Sequence, residues 1–173
     1  MSDFSPARIL VVMGVCGCGK STIGAALSGR LDVPFEDADD YHPAANVEKM
    51  SRGIALQDAD RWPWLDAIGN ALRAQAARHG RVVAACSALR RDYRDRLVAA
   101  AGEPVLFIYL NGSRELIAAR MAARKDHFMP AQLLDSQFAT LEVPEPEENV
   151  MVVDIGAPVS DIAETIQARL EAV

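Results

Sequence analysis

Cysteine is scarce in this chain: Cys16, Cys18 and Cys86 are the only three, and all fall inside predicted elements. A small odd set without framework spacing excludes a disulfide-stapled scaffold and points to a reducing cytoplasm. Long apolar runs are missing too. None approaches the roughly 20 residues that cross a bilayer, so no membrane-spanning helix is expected. Met1 to Ala7 is polar and too short for a signal peptide. Positive charge is in deficit, with 18 Lys and Arg against 24 Asp and Glu, a net charge of −6. That balance gives no general affinity for nucleic acid or acidic membranes, while leaving room for a local basic cleft. What is present, 173 residues that are 50% hydrophobic and 24% charged, suits a single domain over residues 1–173.

Four apolar runs read as strands: Arg8–Met13, Arg81–Cys86, Val105–Leu110 and Val150–Asp154, with a short fifth at Val33–Glu36. Each is continuous rather than alternating, as in strands covered on both faces. Helical periodicity separates them, in Ile23, Leu27 and Leu31 and again in Ile162, Ile166 and Leu170. Pro63 suits a first helical position, Leu65, Ile68 and Leu72 share a face, and Gly80 follows the end. The alternation predicts an α/β fold, a five-stranded parallel sheet flanked by helices. Glu142–Asn149, with two prolines and four glutamates, reads as a solvated loop.

Gly14-Val15-Cys16-Gly17-Cys18-Gly19-Lys20-Ser21 matches G-x-x-x-x-G-K-[ST] between a predicted strand and a predicted helix, the context a P-loop requires. Such a loop turns successive N–H groups toward phosphate oxygens, and the helix N-terminus adds positive potential. Lys20 reaches the β- and γ-phosphates, and the Ser21 hydroxyl ligates Mg²⁺. The cofactor set is therefore ATP with Mg²⁺, bound by residues 14–21 and Thr22. A guanine-reading Asn-Lys-x-Asp and a transporter-type Leu-Ser-Gly-Gly are both missing, which favours a compact phosphotransferase. After the short second strand comes Phe35-Glu36-Asp37-Ala38-Asp39-Asp40-Tyr41-His42-Pro43. Its carboxylates suit Mg²⁺ and an acceptor hydroxyl, and equally an acidic turn capping the next helix.

Asp37 through Pro43, Asn46 with Lys49-Met50, Leu56 through Asp58, Asp60-Arg61 and Pro63-Trp64-Leu65 together resemble the gluconokinase family. So do Ala85 through Arg90, Tyr93-Arg94-Asp95, His127 through Pro130, Ser136-Gln137-Phe138 and Thr140-Leu141-Glu142, in the family's order over nearly the whole chain. The resemblance implies a nucleoside-monophosphate-kinase-like P-loop fold and transfer of the ATP γ-phosphate to the 6-hydroxyl of D-gluconate. Asp39 becomes the carboxylate at the acceptor, with Asp37 behind Ser21 at the metal. One departure is Cys16 and Cys18, where the family usually has serine. An amide-lined loop at a helix N-terminus lowers a thiol's pKa, so these thiols are expected to react with modifying reagents.

A sugar acid needs cations. In a helix, Arg91–Asp95 and Asp92–Arg96 are i,i+4 partners, which leaves Arg90 and Arg94 on an unpaired face as substrate ligands. Lys49 and Arg61 flank the other wall, Arg61 serving equally as a surface ion pair. Arg120 and Arg124 precede a predicted small lid over residues 121–131. Arg124 is the candidate for stabilising the transferring phosphoryl and Arg120 for the adenine side, against plain exposed helix charge. His42, His79 and His127 are too far apart for a local metal site, Trp62 and Trp64 read as packing, and Asp154 belongs to the last strand. Two rivals remain: a shikimate kinase, which would normally show a glycine-rich segment where this chain has Cys86-Ser87-Ala88-Leu89-Arg90, and an ATP-binding module without transfer. Assembly stays open, a homodimer included.

Overall fold

The structure, a computed structural model, describes residues 3–123 and 131–173. Five strands, β1 (Ile9–Met13), β2 (Phe35–Asp37), β3 (Val82–Ala85), β4 (Val105–Asn111) and β5 (Val150–Asp154), form one sheet. Their order is β2-β3-β1-β4-β5 and every pairing is parallel. Because β1 lies centrally, the loop that leaves it opens where β3 and β4 diverge, the crevice in which open α/β sheets bind ligands.

Successive side chains of a strand point to opposite faces, and here both faces are covered. Ile9, Val11 and Met13 pack with Leu65, Ile68 and Leu97, from helices α3 (Asp58–His79) and α4 (Arg91–Ala101). Leu10 and Val12 pack on the other side with Ile23 and Leu27 of α1 (Lys20–Leu31) and Ile162 and Ile166 of α7 (Val159–Glu171). This double burial is why the strands read as unbroken apolar runs. Three further α-helices, α2 (Ala44–Ser51), α5 (Arg114–Ala122) and α6 (Ala131–Thr140), and two 3₁₀ turns, Ala38–Tyr41 and Pro146–Glu148, complete the described chain. No helix among the described residues is long and apolar enough to cross a membrane.

Two expectations need correction. Pro63 does not start a helix but lies inside α3. The helix begins five residues earlier because the Gln57 N–H donates to Asp60 Oδ2 at 2.9 Å, satisfying an orphan donor of the first turn. Pro63 then forfeits one early hydrogen bond without ending the helix. Nor is Glu142–Asn149 merely solvated: Glu148 is buried against Arg94, and Glu142, Glu145 and Glu147 receive Arg90 and Arg91. Gly80 does close α3, as its left-handed φ of 82° allows.

Candidate active site

The loop Gly14–Gly19 joins the C-terminal end of β1 to α1. A side chain at Gly17 would meet the Met121 thioether at 2.5–2.6 Å, and φ there is 78°, so glycine is required on two counts. The Gly14 N–H donates to Ser87 O at 3.4 Å and the Cys18 N–H to Val15 O at 3.3 Å, fixing the curl. Gly17 and Gly19 donate to no other backbone group among the described residues, and Lys20 and Ser21 head α1, where N–H groups lack helical partners. Lys20 Nζ bends back over the loop to Val15 O at 3.0 Å. A concave run of free N–H donors with one ammonium suits a polyphosphate, and so fits ATP.

Beside it, Ser21 Oγ donates to Asp37 Oδ2 at 3.0 Å. A hydroxyl and a carboxylate suit Mg²⁺, which takes few protein ligands and shares the phosphates. Asp37 Oδ1 also accepts the Asp39 N–H at 3.0 Å, which turns the chain so that Asp39 follows the metal pair. Loss of hydration raises the Asp39 carboxyl above its ordinary pKa, the Asp37 charge adds to this, and His42 and Lys20 oppose it. Asp39 thus lies within electrostatic reach of the P-loop lysine, and His42 lies within reach of both Asp39 and Arg61. His42 is held by stacking on Trp64, ring centroids 4.3 Å apart, and by Asn46 Nδ2 at 3.3 Å from its Nδ1.

The far wall is cationic. Arg61 and Arg90 both lie over the Tyr93 ring, at 5.2 and 5.6 Å from its centroid. Tyr93 donates its hydroxyl proton to Asp58 Oδ1 at 2.7 Å, and the other oxygen of Asp58 takes Arg90 at 3.3 Å. Arg61 stands 3.7 Å from Asp58 and donates to Leu56 O at 2.8 Å. One carboxylate and one π-face thereby hold two like charges together.

A family model described as shikimate kinase matches residues 16–169. A gluconokinase from Gluconobacter oxydans is 50% identical over 149 residues, which cover 84% of this chain and 82% of that one. The thermoresistant gluconokinase of Escherichia coli is 43% identical, covering 92% of both chains. Among solved structures, a gluconokinase from Sinorhizobium meliloti superposes with a TM-score of 0.83 at 45% identity, covering 95% of this chain and 91% of that one. The chain belongs to the gluconokinase family. Solved shikimate kinases, such as that of Aquifex aeolicus at 16% identity and a TM-score of 0.58, share the fold alone.

In this gluconokinase-family chain several expected residues stand elsewhere than their spacing suggested. Arg94 is not on an unpaired face; it is 1% exposed. Its five N–H groups go to both oxygens of Glu148 and to the carbonyls of Ala88, Leu89 and Glu142, so it has no donor left for substrate. Arg91 pairs with Glu145 and Glu147 rather than Asp95, and Arg96 with Asp66 rather than Asp92. Lys49 is committed to Asp60, at 2.9 Å from both oxygens, tying α2 to the start of α3 instead of facing the arginine pair. Arg120 reaches Ala157 O at 3.5 Å, beside the turn after β5. Thr22 is exposed on the first turn of α1. Arg124 and most of the expected lid lie outside the described residues.

The thiols also differ from expectation. Burial raises the pKa of both Cys16 and Cys18, with Lys20 opposing, and Cys18 is 1% exposed. Cys18 is buried in the core on the α1 side of the sheet and Cys16 packs against it, so neither has the thiolate character expected of it. Cys86 is deeper still, its thiol pushed up to about 12 by burial. Four residues absent from the sequence-based site now belong to its surroundings: His42, Asp58, Tyr93 and Gln137. His42 and Asp58 had a legible signal in their nearness to Asp39 and Arg61. Tyr93 and Gln137 had none of their own, because only folding brings them close.

Proposed function

We propose that the protein transfers the γ-phosphoryl group of ATP to the 6-hydroxyl of D-gluconate in the cytoplasm, as one domain. The observation that carries the reading is a line of chemistry: Lys20, then Asp39, then His42, then the Arg61–Arg90 pair. It offers a phosphate cation and a proton acceptor at one end and two guanidiniums at the other. A linear polyhydroxy acid matches it, with its terminal hydroxyl at Asp39 and its carboxylate at the arginines.

Asp39 orients the hydroxyl and takes its proton as the new P–O bond forms. Lys20 and the loop N–H groups hold the phosphates, and Ser21 with Asp37 would hold Mg²⁺, which neutralises phosphate charge when bound. Arg90 is already paired with Asp58 and Glu142, but these pairs are exposed and screened by water, so a substrate carboxylate can replace them. The name of the Gluconobacter oxydans relative supports the same acceptor. Phosphorus–carbon coupling in the NMR spectrum of the product tests the regiochemistry. Coupling at C6 is expected, and phosphate on any other carbon contradicts the proposed orientation.

A further inference from the structure

Cys16 presents the one P-loop N–H that a side chain satisfies among the described residues. Its partner is Gln137 Oε1, 3.1 Å away and 121 residues distant in sequence. Gly14 and Cys18 spend their N–H groups on backbone carbonyls that shape the loop. A carboxamide oxygen on Cys16 instead stands at the cradle as a phosphate oxygen would. Gln137 is well held there. It is half-buried on α6, Leu134 of the same helix is buried in the core, and an Arg114–Asp135 ion pair ties α6 to α5. Met121 of α5 in turn packs on Gly17, the next loop residue.

Because the Cys16 N–H is a donor, the amide must present its oxygen to it, and the geometry then leaves the two N–H donors of Nε2 beside the cradle. Among the described residues Nε2 has no hydrogen-bond partner. We propose that Gln137 is a phosphate-positioning residue: Oε1 keeps the Cys16 N–H while Nε2 donates to an oxygen of the terminal phosphate of ATP. The inference rests on the nucleotide half of the function proposed above, not on the acceptor. A bracing role alone would use only Oε1, and the two roles separate by nucleotide.

The test is calorimetric titration of the wild type, Gln137→Ala and Gln137→Glu with Mg²⁺ and either ADP or the non-hydrolysable ATP analogue AMPPNP. Loss of a hydrogen bond to a charged group is expected to lower the AMPPNP-to-ADP affinity ratio about tenfold in Gln137→Ala. Gln137→Glu keeps the acceptor for Cys16 but sets a carboxylate against the phosphate, so its ratio falls further. Equal weakening of both nucleotides, no weakening, or a Glu variant that binds AMPPNP like the wild type overturns the proposal. If the Glu variant does not fold, the Ala ratio decides alone. No acceptor is present in these titrations, so failure here and failure of gluconate turnover are distinguishable.

Discussion

Asp37 and Asp39 are separated by one residue and joined by one hydrogen bond, yet their surroundings differ. Asp37 is tied to Ser21 and the metal side, while Asp39 carries the raised pKa of a desolvated carboxyl next to a like charge. As the proposed base Asp39 would work only ionised, so the acid limb of kcat/KM for gluconate is expected above the ordinary Asp value of about 3.9. Asp37→Asn removes the neighbouring anion and moves that limb to lower pH in whatever activity survives. A limb at the same pH in both proteins contradicts the assignment. Asp39→Asn is expected to lower kcat about 10²–10⁴-fold with ATP binding retained. A raised folded pKa means that ionising Asp39 costs stability as pH rises through it, so the Asn variant should melt no lower than the wild type at pH 7. Lys20→Ala should fold normally and abolish transfer, as single-turnover assays with circular dichroism would show.

Helix α4 shows what spacing within one element can and cannot reveal. Spacing within it pairs Arg91 with Asp95 and Asp92 with Arg96, but every arginine partner is outside it: Arg94 at Glu148, Arg96 at Asp66, Arg91 at Glu145 and Glu147. Those contacts belong to tertiary structure, which local periodicity does not encode. The P-loop was legible because its backbone geometry is written in the spacing of Gly14, Gly17 and Gly19 ahead of Lys20 and Ser21. Arg90, expected on an unpaired helix face, lies instead just before α4 and pairs with Asp58 and Glu142. Arg94 has the opposite character, since its bonds to the carbonyls of Ala88 and Leu89 pin a turn in which Ala88 takes a φ of 44°. That left-handed alanine costs about 1–2 kcal/mol, and Arg94 supports the turn that presents Arg90. Arg94→Met strands Glu148 without its partner and should destabilise by about 3–5 kcal/mol in urea titration. Arg90→Gln should instead leave the urea midpoint near that of the wild type and raise KM for gluconate, narrowing the preference for gluconate over uncharged sorbitol. A strong stability loss at Arg90, or none at Arg94, would reverse these roles.

Across the whole molecule, carboxylates outnumber cations, and many carboxylates are held by arginine or lysine. Arg114 holds Asp135 and Arg96 holds Asp66 below their usual values, and Lys49 and the Gln57 N–H do the same for Asp60. Burial pushes Glu148 up, but Arg94 and the Glu145 N–H outweigh it and hold it low. Groups with depressed folded pKa values stabilise fully above their unfolded values near 4 and lose that contribution as pH falls. The melting temperature is therefore expected to fall steeply below about pH 4, with a shallower fall in Arg94→Met. The two-faced sheet positions both ends of the site, since β1 delivers the phosphate loop while β2 and β3 deliver Asp39 and Arg90. The most direct test of this arrangement is ADP release from MgATP with D-gluconate, shikimate, sorbitol or no acceptor, read by a coupled assay. The account requires release with gluconate far above the other three; shikimate-dependent release, or release indifferent to the acceptor, would contradict it.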